Sequence, residues 1–485
     1  MKLLILIIGL LSLNIHAFEV DRQVHIVSQK LPEILKSIDS SDFDDTTLRT
    51  IESYSLTLLT SINKLKSQTS YQERPLSGAE LLELHTLMNC FTKLTSTISM
   101  RIDEFAANQD YSFHFVQANV VLGILSYRLV NELVGSQKIV NVLSYSDRSF
   151  DLKKRELFAL LKVLSSRSFK EKTLKKMQGL SSSEIELVKS TQYFSQAFDF
   201  QKDSYNELRS LIFKNKIFKA KRFALHHLSG AFGNTSGSIR WRKGYLFKNE
   251  SIIRKIESEL KPLDIITEKT AFALTDKFIP GHFGHNAIWL GTKDQLIEIG
   301  IWNHPVISPF QNEIEQGFSI IETDRTGTHL KKLSDFMNVD EFAALRISHL
   351  GDDLSHYYKI ALSQLGKKYD FNFDVESTDR LVCSELLYQT FAHIIWPTEK
   401  YLGRFTISPD NVVSLSLFNQ SPLSLVNYIA GDKQGEIHYK GIKELAEDID
   451  FNEDHNYLNP QRQIDYVTLL NIDHGNHFYK LSWFK

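Results

Sequence analysis

The hydrophobic period of this chain changes once, and that change limits what it can fold into. Up to about residue 225 apolar residues recur at spacings of three and four, the rhythm of helices burying one stripe. Ser229-Gly230-Ala231-Phe232-Gly233-Asn234-Thr235-Ser236-Gly237 then packs three glycines into nine residues, and the rhythm stops. Beyond it the apolar residues come in short runs bounded by Gly, Pro or polar residues, as strands do. With 485 residues there is room for two or three domains of ordinary size. The expected fold class is therefore α+β: an all-α helical bundle over 18–228, a strand-rich domain over 229–430, and a polar, partly acidic extension over 431–485.

In the helical half the clearest start is Ser77-Gly78-Ala79-Glu80, a capping box in which Ser and Glu satisfy each other's free backbone donors. Leu81, Leu84, Met88, Phe91, Leu94, Ile98, Ile102 and Phe105 follow at helical spacing, and Cys90 lies beside that stripe as a small buried hydrophobe. Between Asp151 and Arg222 there are 17 Lys+Arg against 8 Asp+Glu. Such runs are usually the solvated face of amphipathic helices, although an anionic surface is a conceivable partner.

In the second half strands are expected at 263–266, 285–290, 318–322 and 343–347, with helices at about 353–365 and 380–395. The glycine cluster is not a phosphate loop, since it lacks a Gly-Lys-Ser/Thr ending. Overall charge is nearly balanced, 56 Lys+Arg against 58 Asp+Glu, so nothing advertises nucleic acid. Two cysteines exclude a disulfide framework and paired CxxC knuckles.

Residues 1–17 read as a secretory signal: one lysine, an apolar run from Leu3 to Leu13, and Ala17 before a polar stretch. No later run is expected to approach the length of a membrane span, so an exported (periplasmic or extracellular), soluble protein follows.

The chemistry concentrates around Asp379-Arg380-Leu381-Val382-Cys383-Ser384-Glu385-Leu386. Leu386, Leu387, Phe391, Ile394 and Ile395 give the following helix a buried face, placing Cys383 in or near its first turn. There, free N–H groups and the helix dipole favour a thiolate. A nucleophilic cysteine also needs a base, and His285 begins a strand after the turn-like Pro280-Gly281-His282-Phe283-Gly284. On spacing alone, a buried core thiol is the commoner reading.

Resemblance favours the reactive one. Pro262-Leu263-Asp264-Ile265-Ile266, then Phe278-Ile279-Pro280-Gly281-His282-Phe283-Gly284-His285-Asn286-Ala287-Ile288-Trp289-Leu290-Gly291, resembles the circularly permuted NlpC-type cysteine hydrolases of the YiiX/YebB-like group. Gly366-Lys367-Lys368-Tyr369-Asp370-Phe371 and Val382-Cys383-Ser384-Glu385-Leu386 resemble later blocks of the same group. The resemblance spans about residues 240–425 and implies a papain-like fold in which the histidine precedes the cysteine. By position it makes Cys383 the nucleophile, His285 its base, and Glu322 the carboxylate that orients the imidazole, with Glu298 the competing choice. It places Asp264, Tyr369 and Asp370 near the substrate, each with a structural alternative as turn holder or hydrogen-bond anchor. Leu263 stands where the group usually has glycine.

Glu385 reads as a helix anchor. His282 and His285 form an H-x-x-H without a metalloprotease helix around it, so no metal is expected, and no organic cofactor; His474 and His477 are weaker candidates still. The implied function is an exported hydrolase of an amide bond, peptide or isopeptide and cell-wall in character, working through an acyl-enzyme. A lipid acyl hydrolase or acyltransferase of the same fold, and a non-catalytic binding protein on a degenerate one, remain open. Both thiols are expected free, since a bridge would extinguish the nucleophile.

Overall fold

The computed structural model describes residues 24–451, apart from 40–44, 70–73, 108–111, 135, 200–205, 207, 211, 218–239, 274–280, 349, 351–352, 402–403 and 419–420. The expected signal at 1–17, the glycine cluster, and His474 and His477 lie outside the described residues. The chain forms two compact units: a helical one spanning Ile15–Glu73 and Leu82–Lys221, and one that joins the short segment Arg74–Leu81 to the chain from Arg222 onward.

The helical unit is built on α1 (24–39), α2 (Asp45–Thr69), α3 (Gly78–Ala107, from Leu82 on) and α4 (Phe113–Leu133). Shorter helices follow, among them α5 (Gln137–Val142), α6 (Glu156–Leu164), α7 (Arg167–Met177), α8 (Ser182–Ser190) and α9 (Phe194–Phe198). The stripe expected on α3 is buried from Leu84 to Ile102, and Cys90 is buried beside it. Contrary to the sequence expectation, α4 is long and apolar enough to cross a membrane. Most of it is buried inside this unit, and Asn119 and Ser126 satisfy their side chains on the backbone of Phe115 and Gly123. It is apolar on nearly every side because other helices surround it. The basic run is spread over α6–α8 and beyond, where Lys172 and Lys175 are exposed and Thr173 and Met177 face inward.

The second unit is a seven-stranded antiparallel sheet in the order β11-β10-β5-β1-β2-β3-β4. Its strands are β1 (Ile265–Lys269), β2 (His285–Trp289), β3 (Ile320–Asp324), β4 (Gly327–Lys331), β5 (Glu341–Ile347), β10 (Leu423–Gly431) and β11 (Ile437–Tyr439). One face packs on α10 (Glu250–Glu259) and on Leu333, Phe336 and Met337, through Ile266, Ala287, Trp289, Ile320, Phe342 and Ala344. Two short helices, α11 (Lys293–Glu298) and α12 (Gln311–Glu315), bridge β2 to β3; α13 (Leu333–Phe336) follows β4 and α14 (Ser355–Ser363) follows β5. Two small ladders, parallel β6 (Lys368–Tyr369) with β7 (Arg380–Leu381) and antiparallel β8 (Glu399–Tyr401) with β9 (Arg404–Thr406), flank α15 (Cys383–Thr390). Helices α16 (Pro409–Ser414) and α17 (Ile442–Asp448) complete the unit.

The four expected strands are all present, and the two expected helices are shorter than read. Strands β4 and β6–β11 were not anticipated. A boundary at 430 falls inside β10, and residues 437–448, assigned to the extension, supply β11 and α17. Lys440 holds them in place, donating to Glu341 of β5 at 2.9 Å and to Asp448 at 2.8 Å. Sequence polarity concealed this because β11 is an edge strand whose side chains are mostly exposed.

Candidate active site

Cys383 is the first residue of α15, immediately after the extended Val382. Glu385 accepts the Val382 N–H at 2.8 Å, which fixes how the chain enters the helix; its expected role as anchor is what the structure shows. First-turn N–H groups have no acceptor within a helix, so those of Cys383 and Ser384 are available to an oxyanion. The Ser384 hydroxyl lies 3.9 Å from Cys383 Sγ and accepts from Asn286 Nδ2 at 2.8 Å, tying the helix start to β2.

Two carboxylate contacts and one backbone contact position His285 on β2. Asp410 of α16 accepts the His282 and Phe283 N–H groups at 2.8 and 2.9 Å, holding the turn that leads into the strand. Thr267 on β1 donates to the His285 carbonyl at 2.8 Å. Ala287 pairs with Glu322, so strand alternation brings Glu322 and His285 to one face. There Glu322 Oε2 accepts from His285 Nε2 at 2.9 Å. Cys383 is close enough for its sulfur to act on the same imidazole, and with Nε2 engaged by Glu322 the nitrogen left for it is Nδ1.

Glu322 is completely buried, yet it is not short of partners. Its Oε1 accepts from Lys331 Nζ at 2.7 Å and lies 3.1 Å from His329 Nε2. Burial works to raise its pKa, but the bonds from His285 and His329 and the Lys331 charge hold it well below the usual carboxylate range. Burial works to lower that of His285, and the contacts with Cys383 and Glu322 carry it well above the ordinary imidazole value. Burial would likewise raise the Cys383 thiol, and the imidazole, the Asn286 N–H and Ser384 bring it below the ordinary thiol range. The net direction is toward thiolate and imidazolium.

The remaining expected residues divide. Glu298 is exposed at the end of α11, and the carboxylate that bonds the imidazole is that of Glu322. Asp264 is corrected from substrate contact to turn holder: it is buried, accepts the Lys261 N–H, and is gripped by the Arg346 guanidinium at 3.0 and 2.7 Å. Asp370 is corrected likewise, since its carboxylate accepts from the Asn372 and Asp374 N–H groups and the Ser377 hydroxyl. Tyr369 is close enough for the Cys383 charge to act on its hydroxyl, and it stacks edge-on against Phe371 and Phe373. His282 turns away from His285 to Glu341 and Tyr428, where Lys440 supplies the positive charge. Leu263 adopts a left-handed φ of 70°, which accounts for glycine being usual there. Cys90 and Cys383 are both free.

Lys331, His329, Asn286 and Asp410 escaped the sequence reading. The turn Asp324-Arg325-Thr326-Gly327 followed by alternating Thr328-His329-Leu330-Lys331 was a legible hairpin signal that would have put His329 and Lys331 beside β3.

A sheet whose histidine–carboxylate pair lies by a helix-opening cysteine, with the histidine earlier in the chain, defines a permuted papain-like cysteine hydrolase domain. Residues 259–436 match the model of the permuted papain-like amidase enzymes, the YaeF/YiiX, C92 family, and so carry a domain of that family. The match covers less than half of the chain. No curated protein and no solved structure matches it.

Proposed function

We propose that this chain is an exported cysteine hydrolase that opens an amide bond through an acyl-enzyme on Cys383. The observation that carries the reading is the Cys383–His285–Glu322 contact, with its charges biased toward the ion pair. The thiolate attacks the carbonyl carbon, and the helix-start N–H groups receive the developing oxyanion. Protonated His285 gives its proton to the departing amine as the C–N bond breaks. It then takes one from water, whose oxygen displaces sulfur and releases the acid. Glu322 keeps the ring oriented and compensates the imidazolium throughout.

The apolar N-terminus and the family together favour a cell-wall peptide or isopeptide as substrate, with the basic helices meeting an anionic surface. The decisive comparison offers muropeptides and phospholipids to wild type and Cys383→Ser. Release of a new amine from muropeptides by wild type alone is expected. Turnover of lipid alone would replace the amide reading with lipid acyl transfer, and no turnover with an unreactive Cys383 would reject catalysis.

A further inference from the structure

The site holds a second buried carboxyl that the mechanism above does not use. Glu268 on β1 pairs directly with His285 on β2, so the two side chains leave the sheet on the same face. It is 8% exposed, and its Oε2 has no hydrogen-bond partner among the described residues. A carboxyl taken out of water without a partner is costly and signals a function or a proton.

The groups around it come from every neighbouring element. His285 lies across on β2, Glu322 on β3, Lys331 on β4, and Arg240 in the segment before α10; all four act on its charge. From β5 the residue facing it is Phe342, and the nearest ionisable residue there, Glu341, pairs instead with Lys269 and is engaged by His282 and Lys440. Three cationic side chains thus pull Glu268 toward ionisation, while burial and the carboxylate of Glu322, held well below the usual range, oppose it. Burial leads, and the carboxyl is pushed up to about 7.

From this geometry we propose that Glu268 is a positioning residue that sets the protonation range of the Cys383–His285 pair. Neutral in acid, it leaves the imidazolium balanced by Glu322 and the Cys383 thiolate. As it loses its proton it becomes a further counter-charge, raising the His285 pKa and keeping the ion pair intact at higher pH. The proposal rests on the reading of Cys383 and His285 as a functional pair, but not on any particular substrate.

The test follows alkylation of Cys383 by iodoacetamide against pH in full-length wild type and Glu268→Gln, together with the His285 imidazole signal by NMR in wild type. Wild type is expected to show an extra inflection near neutrality that Glu268→Gln lacks. The imidazolium should persist to higher pH in wild type, by roughly 1 unit for a newly ionised neighbour. Superimposable profiles in two folded proteins, both with a low-pH thiolate, would overturn the role of Glu268 and leave the pair standing. An ordinary thiol profile in both would overturn the pair and the proposal together. If Glu268→Gln fails to fold, the wild-type NMR titration decides: a His285 curve with no second inflection rejects it.

Discussion

At the residue scale the two cysteines are a matched pair of opposites. Cys383 is brought below the ordinary thiol range by its contacts despite burial, whereas burial pushes the Cys90 thiol up. At pH 6–7, iodoacetamide should therefore modify Cys383 and spare Cys90, a difference that peptide mass spectrometry reads directly. Equal labelling would contradict the assigned ion pair. Glu322→Gln keeps the shape of the side chain but removes the charge that compensates His285, Lys331 and His329. We expect kcat/KM to fall by about 10²–10⁴-fold, as removal of an orienting carboxylate does elsewhere, measured at saturating pH. Glu322→Ala should in addition lower stability in urea unfolding, because it leaves the partly buried His285, His329 and Lys331 without their carboxylate. The sequence made Cys383, His285 and Glu322 legible through strand and helix starts reinforced by family blocks. Glu268 was illegible for a physical reason: a glutamate inside Ile265-Ile266-Thr267-Glu268-Lys269 reads as the polar end of a strand until the pairing of β1 with β2 is known. The choice between Glu322 and Glu298 likewise needed the register of β3.

At the scale of elements, α15 is fixed from outside its own sequence. Its Tyr388 hydroxyl donates to the Leu76 carbonyl at 2.5 Å, and the Leu76 N–H is accepted by Glu376 at 2.9 Å. The segment Arg74–Leu81 that makes these bonds is itself stiffened by the buried Arg74–Glu80 pair, two bonds of 2.6 Å, and by the Ser77–Glu80 capping box. Gly78 is the point of closest approach: a Cβ there would lie 2.4 Å from the Tyr388 carbonyl oxygen and 2.8 Å from Ala392 Cα. Gly78→Ala should lower stability by about 1–3 kcal/mol through overpacking, read as a drop in Tm, while Ala79→Gly should leave that contact alone. The capping box was plain from four residues of sequence; its attachment three hundred residues away was not, because hydrogen bonds to backbone carbonyls leave no compositional trace.

For the whole molecule, acid tolerance should depend on the cluster that seals the β10–β11 edge. There Glu341 is held at about 2: burial works against it, but bonds from His282, Tyr428 and Lys440 prevail. A depressed carboxylate stabilises fully above its unfolded value of 4.5 and loses that contribution as pH falls toward 2. The difference is worth at most about 3 kcal/mol. Wild type should therefore lose stability between pH 4.5 and 2 more steeply than Glu341→Gln, measured by urea unfolding at fixed pH steps; parallel curves would exclude the assignment. The sequence announced two architectures and their order along the chain. It did not announce that the sheet unit continues to α17, since Lys440 and Asp448 look like ordinary surface charge until β11 brings them to Glu341.

One consequence lies in the splicing of Arg74–Leu81 into the sheet unit. A gene fragment beginning near Arg222 would encode the sheet and the reactive thiol, yet it would leave the Tyr388 hydroxyl and Glu376 without their acceptor and donor. Conversely, a single backbone nick near Arg222 would cut the polypeptide into two pieces without freeing them. The earlier piece would still be gripped by the later one through eight residues, so the halves should coelute on gel filtration and part only in denaturant. In hereditary terms the two units are not interchangeable modules: neither can be shuffled into another protein without taking a piece of its companion along.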